Sequence, residues 1–437
     1  MRRAWVMLAT GLMCLVAALA TGSGLYYTLT YFLAATLLLS FVWAWSAIRG
    51  LRLRRYTPIS RTQVGRPMEE RFWLRNASRL PKLWVVVRDG SDLPGYHASR
   101  VVYDLRPRQE YGWITRVLCE RRGRFHLGPV TISAGDPLGL FEFRRELPQT
   151  RIVVVYPATV PVRNFPHVAG YLPGGDALRR RTHHVTPNAA GVREYVPGDS
   201  FNRIHWPSTA RKDRLIVKEC ELDPLSDVWI FLDMERSVHF EVPVDEAELA
   251  MREEKPWWMR QEQLRLESST EEYAVTAAAS VAEFFVRRGR AVGLVTYGQR
   301  RQIIQADRDE RQLNKVLDAL AVLRAEGDMP FDEVLNLEGR GLARGTIVVT
   351  ISPAADEEWA RTALLLDQTG LRIVAILVDA LSFGGPLSAA PLRERLLVAG
   401  VPAVLLRDGD PLEDVLSSLP SPRSTTVLPP AYAVPTV

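Results

Sequence analysis

The chain has 437 residues, with 55 basic and 50 acidic side chains for a net charge of +5, and 47% of it is apolar. That length exceeds one ordinary domain and predicts two to three, while the mild charge, without a basic stripe interleaved with aromatics, argues against a nucleic-acid binder. Cys14, Cys119 and Cys220 are too few for a disulfide framework or a zinc pattern and suit a reducing compartment, although Cys119 and Cys220 could pair.

Residues 1–50 read as a transmembrane helical hairpin with spans at about 5–21 and 25–48. Trp5 to Ala20 and Gly24 to Ile48 carry no charge, and lengths of this order cross the ~30 Å hydrocarbon core of a bilayer. Thr21-Gly22-Ser23-Gly24 makes a short polar turn between them. Arg2 and Arg3 precede the first span, and Arg49, Arg52, Arg54 and Arg55 follow the second. The positive-inside rule then puts both ends, and the rest of the chain, on the cytoplasmic side of the inner membrane. Trp43 and Trp45 sit where an interfacial aromatic belt belongs, and the basic residues beside them suit anionic lipid headgroups. A cleavable signal peptide is the rival reading of Arg2-Arg3, the first apolar run and Ala18-Leu19-Ala20. In that case the second span acts as a stop-transfer and the orientation is unchanged.

Residues 56–168 show short extended runs separated by turns: Arg71 to Leu74, Leu83 to Val87, Gly112 to Leu118, Arg124 to Leu127, Val130 to Ser133 and Ile152 to Val155. Helical periodicity is absent, so a small antiparallel β-sandwich is expected. Residues 169–226 form a linker with a dense signature, Gly191 to Asp199 followed by Asn202 to Trp206 and Thr209 to Arg211. Pro197-Gly198 predicts a turn, Asp199 or Ser200 can cap a helical turn running to Trp206, and Leu215-Ile216-Val217 an extended strand towards the next sheet. Its basic residues (Arg193, Arg203, Arg211, Lys212, Arg214, Lys218) alternate with acidic ones (Glu194, Asp199, Asp213, Glu219, Glu221). That density suits an anion site, or an interdomain ion-pair network with Trp206 as packing anchor, and the network is the favoured reading.

From 227 to 420 strands alternate with helices. Val228 to Leu232 is a continuous apolar run, as a strand buried on both faces should be. Ser269 with Glu272 forms a capping box that opens a helix ending near Gly289. Strands follow at Ala291 to Thr296, Arg301 to Gln305 (an antiparallel edge after Tyr297-Gly298), Thr346 to Ile351, Arg372 to Val378 and Ala403 to Leu406. Helices are expected at about 310–323, 357–369, 392–399 and 412–419. Repeated β-α-β units predict a doubly wound α/β fold. Val238 to Glu267, mostly acidic and holding Trp257-Trp258, reads as an insertion, and 421–437, Pro-rich and aperiodic, as a disordered tail.

Ligands of such sheets gather outside the carboxyl ends of the strands, where Asp233, Ser352, Asp379 and Asp408 fall. The strand-then-Asp233-Met234-Glu235-Arg236-Ser237 sequence resembles a von Willebrand factor A domain, whose Asp-x-Ser-x-Ser loop opens a metal-ion-dependent site. Asp233 and Ser237 match that loop and Glu235 replaces its first serine. Gly327-Asp328-Met329 and Ser352-Pro353 stand where the family's second and third ligand loops fall. The resemblance implies Mg2+ held at Asp233, Glu235 and Ser237; the alternative is that Asp233 braces the strand end.

The linker is similar to the signature of the family called domain of unknown function 58, carried here by Arg193, Tyr195, Gly198, Asp199, Arg203, His205, Trp206, Ala210 and Arg211. Arg122-Gly123-Arg124-Phe125, Leu127-Gly128-Pro129 and Asp136-Pro137-Leu138-Gly139-Leu140-Phe141 match patterns of the same family upstream. That resemblance implies association with a MoxR-type AAA+ ATPase and with other A-domain proteins in protein assembly or maturation. With no phosphate-cradling Gly-x-x-x-x-Gly-Lys-Ser/Thr loop in the chain, a membrane-anchored scaffold served by a partner's ATPase is the leading expectation. The alternative is a membrane-bound hydrolase using His205, Ser208 and Asp199, or His183-His184. It lacks a Gly-x-Ser-x-Gly elbow, and no catalytic constellation stands out. Extracellular adhesion conflicts with the orientation.

Overall fold

A computed structural model describes residues 2–165, 189–195, 204–220, 227–243, 258–259 and 266–419. Two apolar helices open the chain, α1 (Arg2–Thr21) and α2 (Gly24–Ile48), both long and apolar enough to cross a membrane. They pack against each other as an antiparallel pair around the turn at 22–23.

The strands begin at once: β1 (Leu51–Tyr56) pairs antiparallel along β3 (Pro67–Asn76), which pairs with β6 (Glu110–Leu118). The β unit therefore starts at Leu51, earlier than the sequence suggested, because Leu-Arg-Leu-Arg-Arg-Tyr reads as a basic membrane flank. Its alternation puts Leu51 and Leu53 inside and Arg52 and Arg54 outside. Arg55, expected among the headgroup charges, is instead buried in an ion network with Glu70 and Asp89.

A second sheet orders β5 (Arg100–Leu105), β4 (Lys82–Asp89), β8 (Val130–Gly135) and β9 (Glu142–Leu147), all antiparallel. A third sets β10 (Arg151–Tyr156) between β2 (Arg61–Gln63), to which it is parallel, and β7 (Gly123–Leu127). The three sheets enclose one apolar core that includes Phe72, Leu74, Val85, Val87, Ile132 and Val153. β2, β5 and β9 escaped the sequence reading, being short or charge-rich edge strands. Cys119 is a free thiol within this core, not bridged to Cys220, and burial pushes it up to about 12.

The C-terminal unit is a six-stranded sheet in the order β15-β14-β13-β16-β17-β18. These strands are β13 (Val228–Leu232), β14 (Val292–Tyr297), β15 (Arg301–Asp307), β16 (Ile347–Ser352), β17 (Arg372–Val378) and β18 (Ala403–Leu406). Five are parallel, and only β15 runs antiparallel, at the edge. Every β13 side chain is buried, alternating between two apolar clusters on opposite faces. One face is covered by α4 (Thr270–Val286), α5 (Glu310–Val322) and α9 (Leu412–Ser417). The other is covered by α6 (Phe331–Gly339), α7 (Glu358–Gln368) and α8 (Ala390–Val398).

α6 was not expected: it is short and contains Asn336 and Gly339, both poor helix formers. Phe331, Val334 and Leu335 nevertheless bury one face of it, and such contacts override propensity. The stretch after β10, placed above with the β unit, instead straps onto the α/β core. Val162 and Phe165 are buried there, with Phe165 against Phe284 and Phe285. Most of the acidic insertion and the Pro-rich tail lie outside the described residues.

Candidate functional site

Asp233 leaves β13 at the carboxyl edge of the sheet, and the three loops expected to converge there do so. Arg236 N–H donates to Gly327 O at 2.9 Å and Gly327 N–H to Met234 O at 2.9 Å, which locks the first loop to the second. A side chain at 327 would collide with Tyr297 O, its Cβ falling 2.1 Å away, so only glycine fits. From the third loop, Ser352 Oγ donates to Asp233 Oδ2 at 2.6 Å.

The donor set does not fit a divalent cation. Asp233 is 2% exposed, and its second oxygen accepts Glu235 N–H at 3.0 Å, so both carboxylate oxygens face internal donors. Burial pushes the carboxyl up to about 7, against the ionised form that a metal needs. Glu235 and Ser237 turn to each other nearer the surface, the hydroxyl donating to the carboxylate. His239 closes the far side, its Nε2 bonded to Asp233 O at 3.0 Å and its Nδ1 to Thr270 Oγ1 at 3.0 Å. Burial pushes that imidazole down to about 4, so it stays neutral. Among the described residues no group of three or more His, Cys, Asp or Glu side chains is placed to hold a metal. What these residues do is brace a strand end. Titrating Mg2+ or Mn2+ into the full chain is accordingly expected to give the same calorimetric trace for native protein and Asp233→Ala. A saturable heat present only with Asp233 would refute this reading.

The signature segment forms a separate small ribbon. β11 (Ala189–Glu194), which contains Arg193, pairs antiparallel with β12 (Ile216–Cys220), and α3 (Trp206–Lys212) sits on the latter. The strand expected to lead to the main sheet pairs within this ribbon instead, and the helix begins at Trp206 rather than ending there. Tyr195 N–H donates to Leu215 O at 2.9 Å and His205 N–H to Ile216 O at 2.8 Å, which fix the turn into α3. Trp206 is not the packing anchor expected of it: its side chain is 64% exposed. Ala210 and Arg211 are exposed beside it, and Asp213, in the left-handed conformation, ends the helix. Gly198, Asp199, Arg203 and the His183-His184 pair lie outside the described residues. His205 Nδ1 and Ser208 Oγ are 2.7 Å apart. This is a local pairing between the N-cap residue and the first turn of α3; it does not by itself make a nucleophile.

One residue that joins the β unit to the α/β unit was not singled out from sequence for this role. Arg122 follows β6, and its side chain is wholly buried. Its guanidinium pairs with Glu271 and Glu272 in the first turn of α4 and donates to Leu323 O at 2.8 Å and Leu320 O at 3.2 Å. Glu271 also accepts Ala325 N–H at 2.9 Å. The predicted capping box is thus spent differently: Ser269 holds the N-cap position without a side-chain cap bond, and Glu272 turns to Arg122. Burial pushes the Glu272 carboxyl up, and Arg122 opposes the shift. A polar cleft of about 170 Å³ opens alongside, between Arg121 and Arg324 and the carboxylates of Glu241 and Glu267. Tyr156 Oη donating to Asp318 at 3.0 Å and the Arg163–Glu413 pair at 2.6 Å extend the same junction.

Comparison with known proteins touches the signature and wider stretches of the chain. The family described as protein of unknown function DUF58 matches residues 191–252. The uncharacterized protein YeaD of Bacillus subtilis is 23% identical over 246 residues, 55% of this chain. The match spans 53% of YeaD, so this chain covers about half the length of that curated relative. Among solved structures, the conserved hypothetical protein BatB from Bacteroides thetaiotaomicron aligns with 35% of this chain and 67% of its own, at 13% identity and TM-score 0.25. The pilus adhesin SpaC from Lactobacillus rhamnosus GG aligns with 46% of this chain and 31% of its own, at 9% identity and TM-score 0.30. Structural likeness at that level says nothing of this chain's chemistry. The signature segment of this chain thus resembles the DUF58 family over residues 191–252, and a wider stretch resembles an uncharacterized protein.

Proposed function

We propose that this chain is a membrane-anchored scaffold that works on the cytoplasmic face with a MoxR-type AAA+ ATPase, in protein assembly or maturation. The observation that carries the reading is the signature ribbon. It presents Trp206, Arg211 and Lys212 outward on a short helix whose backbone is tied to β12. An exposed tryptophan beside an arginine is a pairing that protein interfaces favour. The anchor is the α1–α2 pair. Arg49, Arg52 and Arg54 are exposed after it and support a cytoplasmic orientation even with Arg55 buried. In this reading the C-terminal unit is of the von Willebrand factor A type with its metal loop closed on itself, and it docks other A-domain proteins through surface contacts.

Affinity capture with the full chain in detergent is expected to recover an AAA+ ATPase. Trp206→Ala should lose it while leaving the unfolding midpoint unchanged, since Trp206 contributes little to the packed interior. No ATPase recovered from cells that express one, or equal recovery by Trp206→Ala, would sink the proposal.

A further inference from the structure

The helix pair does not hang from the β unit by a loose tether. Gly50 O accepts Ala77 N–H at 2.7 Å, and buried Lys82 donates through Nζ to Ser46 O at 2.5 Å, in the last turn of α2. Ser40, Ala44 and Ala47 are buried, α2 packs on β8 and β9, and the Phe41 ring meets Phe141 and Phe143 edge-on at 5.6 and 5.8 Å between centroids. The stretch of α2 ahead of its first buried residue, Gly24 to Leu39, rises only about 24 Å at ~1.5 Å per residue. A hydrocarbon core of ~30 Å must therefore take in part of the embraced stretch as well.

The loop between β8 and β9 is built where that overlap falls. Asp136 is buried, its Oδ1 accepting Phe141 N–H at 2.6 Å and its Oδ2 accepting Leu138 N–H at 3.0 Å. Gly139 takes a left-handed φ of +66°, Leu140 plugs inward, and Leu138 is left at the tip, 55% exposed. The first helix reaches the same loop independently. A Cβ on Gly139 would sit 3.5 Å from the Arg3 guanidinium, and α1, at ~1.5 Å per residue, is about 30 Å long, so Arg3 falls at the inner boundary.

We infer that the Asp136–Phe141 loop is a lipid-contacting element: Leu138 enters the headgroup–acyl boundary of the inner face and holds the β unit flush against an anionic bilayer. Arg3 and Arg49, the latter stacked 3.4 Å over Trp45, reach the phosphates around it. The inference rests on the anchor reading, and Asp136, Pro137 and Gly139 then serve to hold an apolar tip rigid rather than to bind a small ligand.

The test uses the full chain, its own cysteines replaced, in phosphatidylcholine–phosphatidylglycerol vesicles, with a polarity-sensitive fluorophore on Leu138→Cys, Phe32→Cys or Val398→Cys. Phe32 lies mid-α2, and Val398, 89% exposed, lies on the α/β unit. Lipids brominated near the headgroup should quench position 138 more than lipids brominated deep in the chain. The order should reverse at 32, and 398 should lose no fluorescence with either. Quenching at 32 with position 138 behaving like 398 would overturn the inference and leave the anchor standing. No quenching at 32 or at 138 would overturn both.

Discussion

Arg122→Ala is expected to cost the full chain about 3–5 kcal/mol of stability, the usual consequence of removing one partner from a buried ion cluster. The substitution leaves two mostly buried carboxylates of α4 and the Leu320 and Leu323 carbonyls without their shared guanidinium. Glu271 keeps Arg324 and the Ala325 amide, whereas Glu272, its side chain 14% exposed, loses the partner that offsets its burial. Arg122→Lys should recover only part of the loss, since one ammonium cannot serve two carboxylates and two carbonyls that a planar fork reaches together. Arg122→Met combined with Glu271→Gln and Glu272→Gln should be markedly more stable than Arg122→Ala, because no uncompensated charge remains. Denaturant unfolding in detergent, followed by tryptophan fluorescence, reads all three. A wild-type midpoint for Arg122→Ala would show that the junction is held elsewhere.

The same junction marks where sequence reasoning ended. The C-terminal strands were legible because each is a run of β-branched and apolar residues bounded by turns, and Val228 to Leu232 lies buried on both faces as its composition required. The antiparallel edge after Gly298, Arg-Gln-Ile-Ile-Gln-Ala-Asp, is largely polar, and the Tyr297-Gly298 turn is what makes it legible. β1 was not, since its arginines suit a membrane flank as well as they suit the outer face of a strand; only pairing with β3 distinguishes the two. Arg122 could be recognised as part of a motif, yet nothing local reveals that its partners lie between 149 and 201 residues on. Glu272 misled for a related reason. Three residues after a serine it fits a capping box, and a competing partner from another unit draws it away. In the signature, Trp206 was assigned to packing by composition alone, and composition does not tell a buried tryptophan from a presented one.

Asp233 offers the sharper test of what the strand-end loop does, because its two readings give opposite dependence on pH. Its folded carboxyl titrates at about 7 and the unfolded one near 3.8. Between those values the native state holds a proton that the unfolded chain releases. Its contribution is therefore complete below about pH 4, falls as pH rises towards 7 by up to about 4 kcal/mol, and is level above that. His239 runs the other way: pushed down to about 4, it costs stability as pH falls from its ordinary value of 6.5. The wild-type curve alone thus mixes two opposed slopes, and the difference between wild type and Asp233→Asn isolates one of them. Asparagine has the shape of the protonated acid, so the variant should match wild type near pH 4.5 and equal or exceed it at pH 8. Had Asp233 been an ionised cation ligand, the variant would be the weaker protein at pH 8 and added Mg2+ would widen the gap. A carboxylate enclosed by Ser352 and the Glu235 amide has its partners within the fold, and the pH at which it gives up its proton tells whether they suffice.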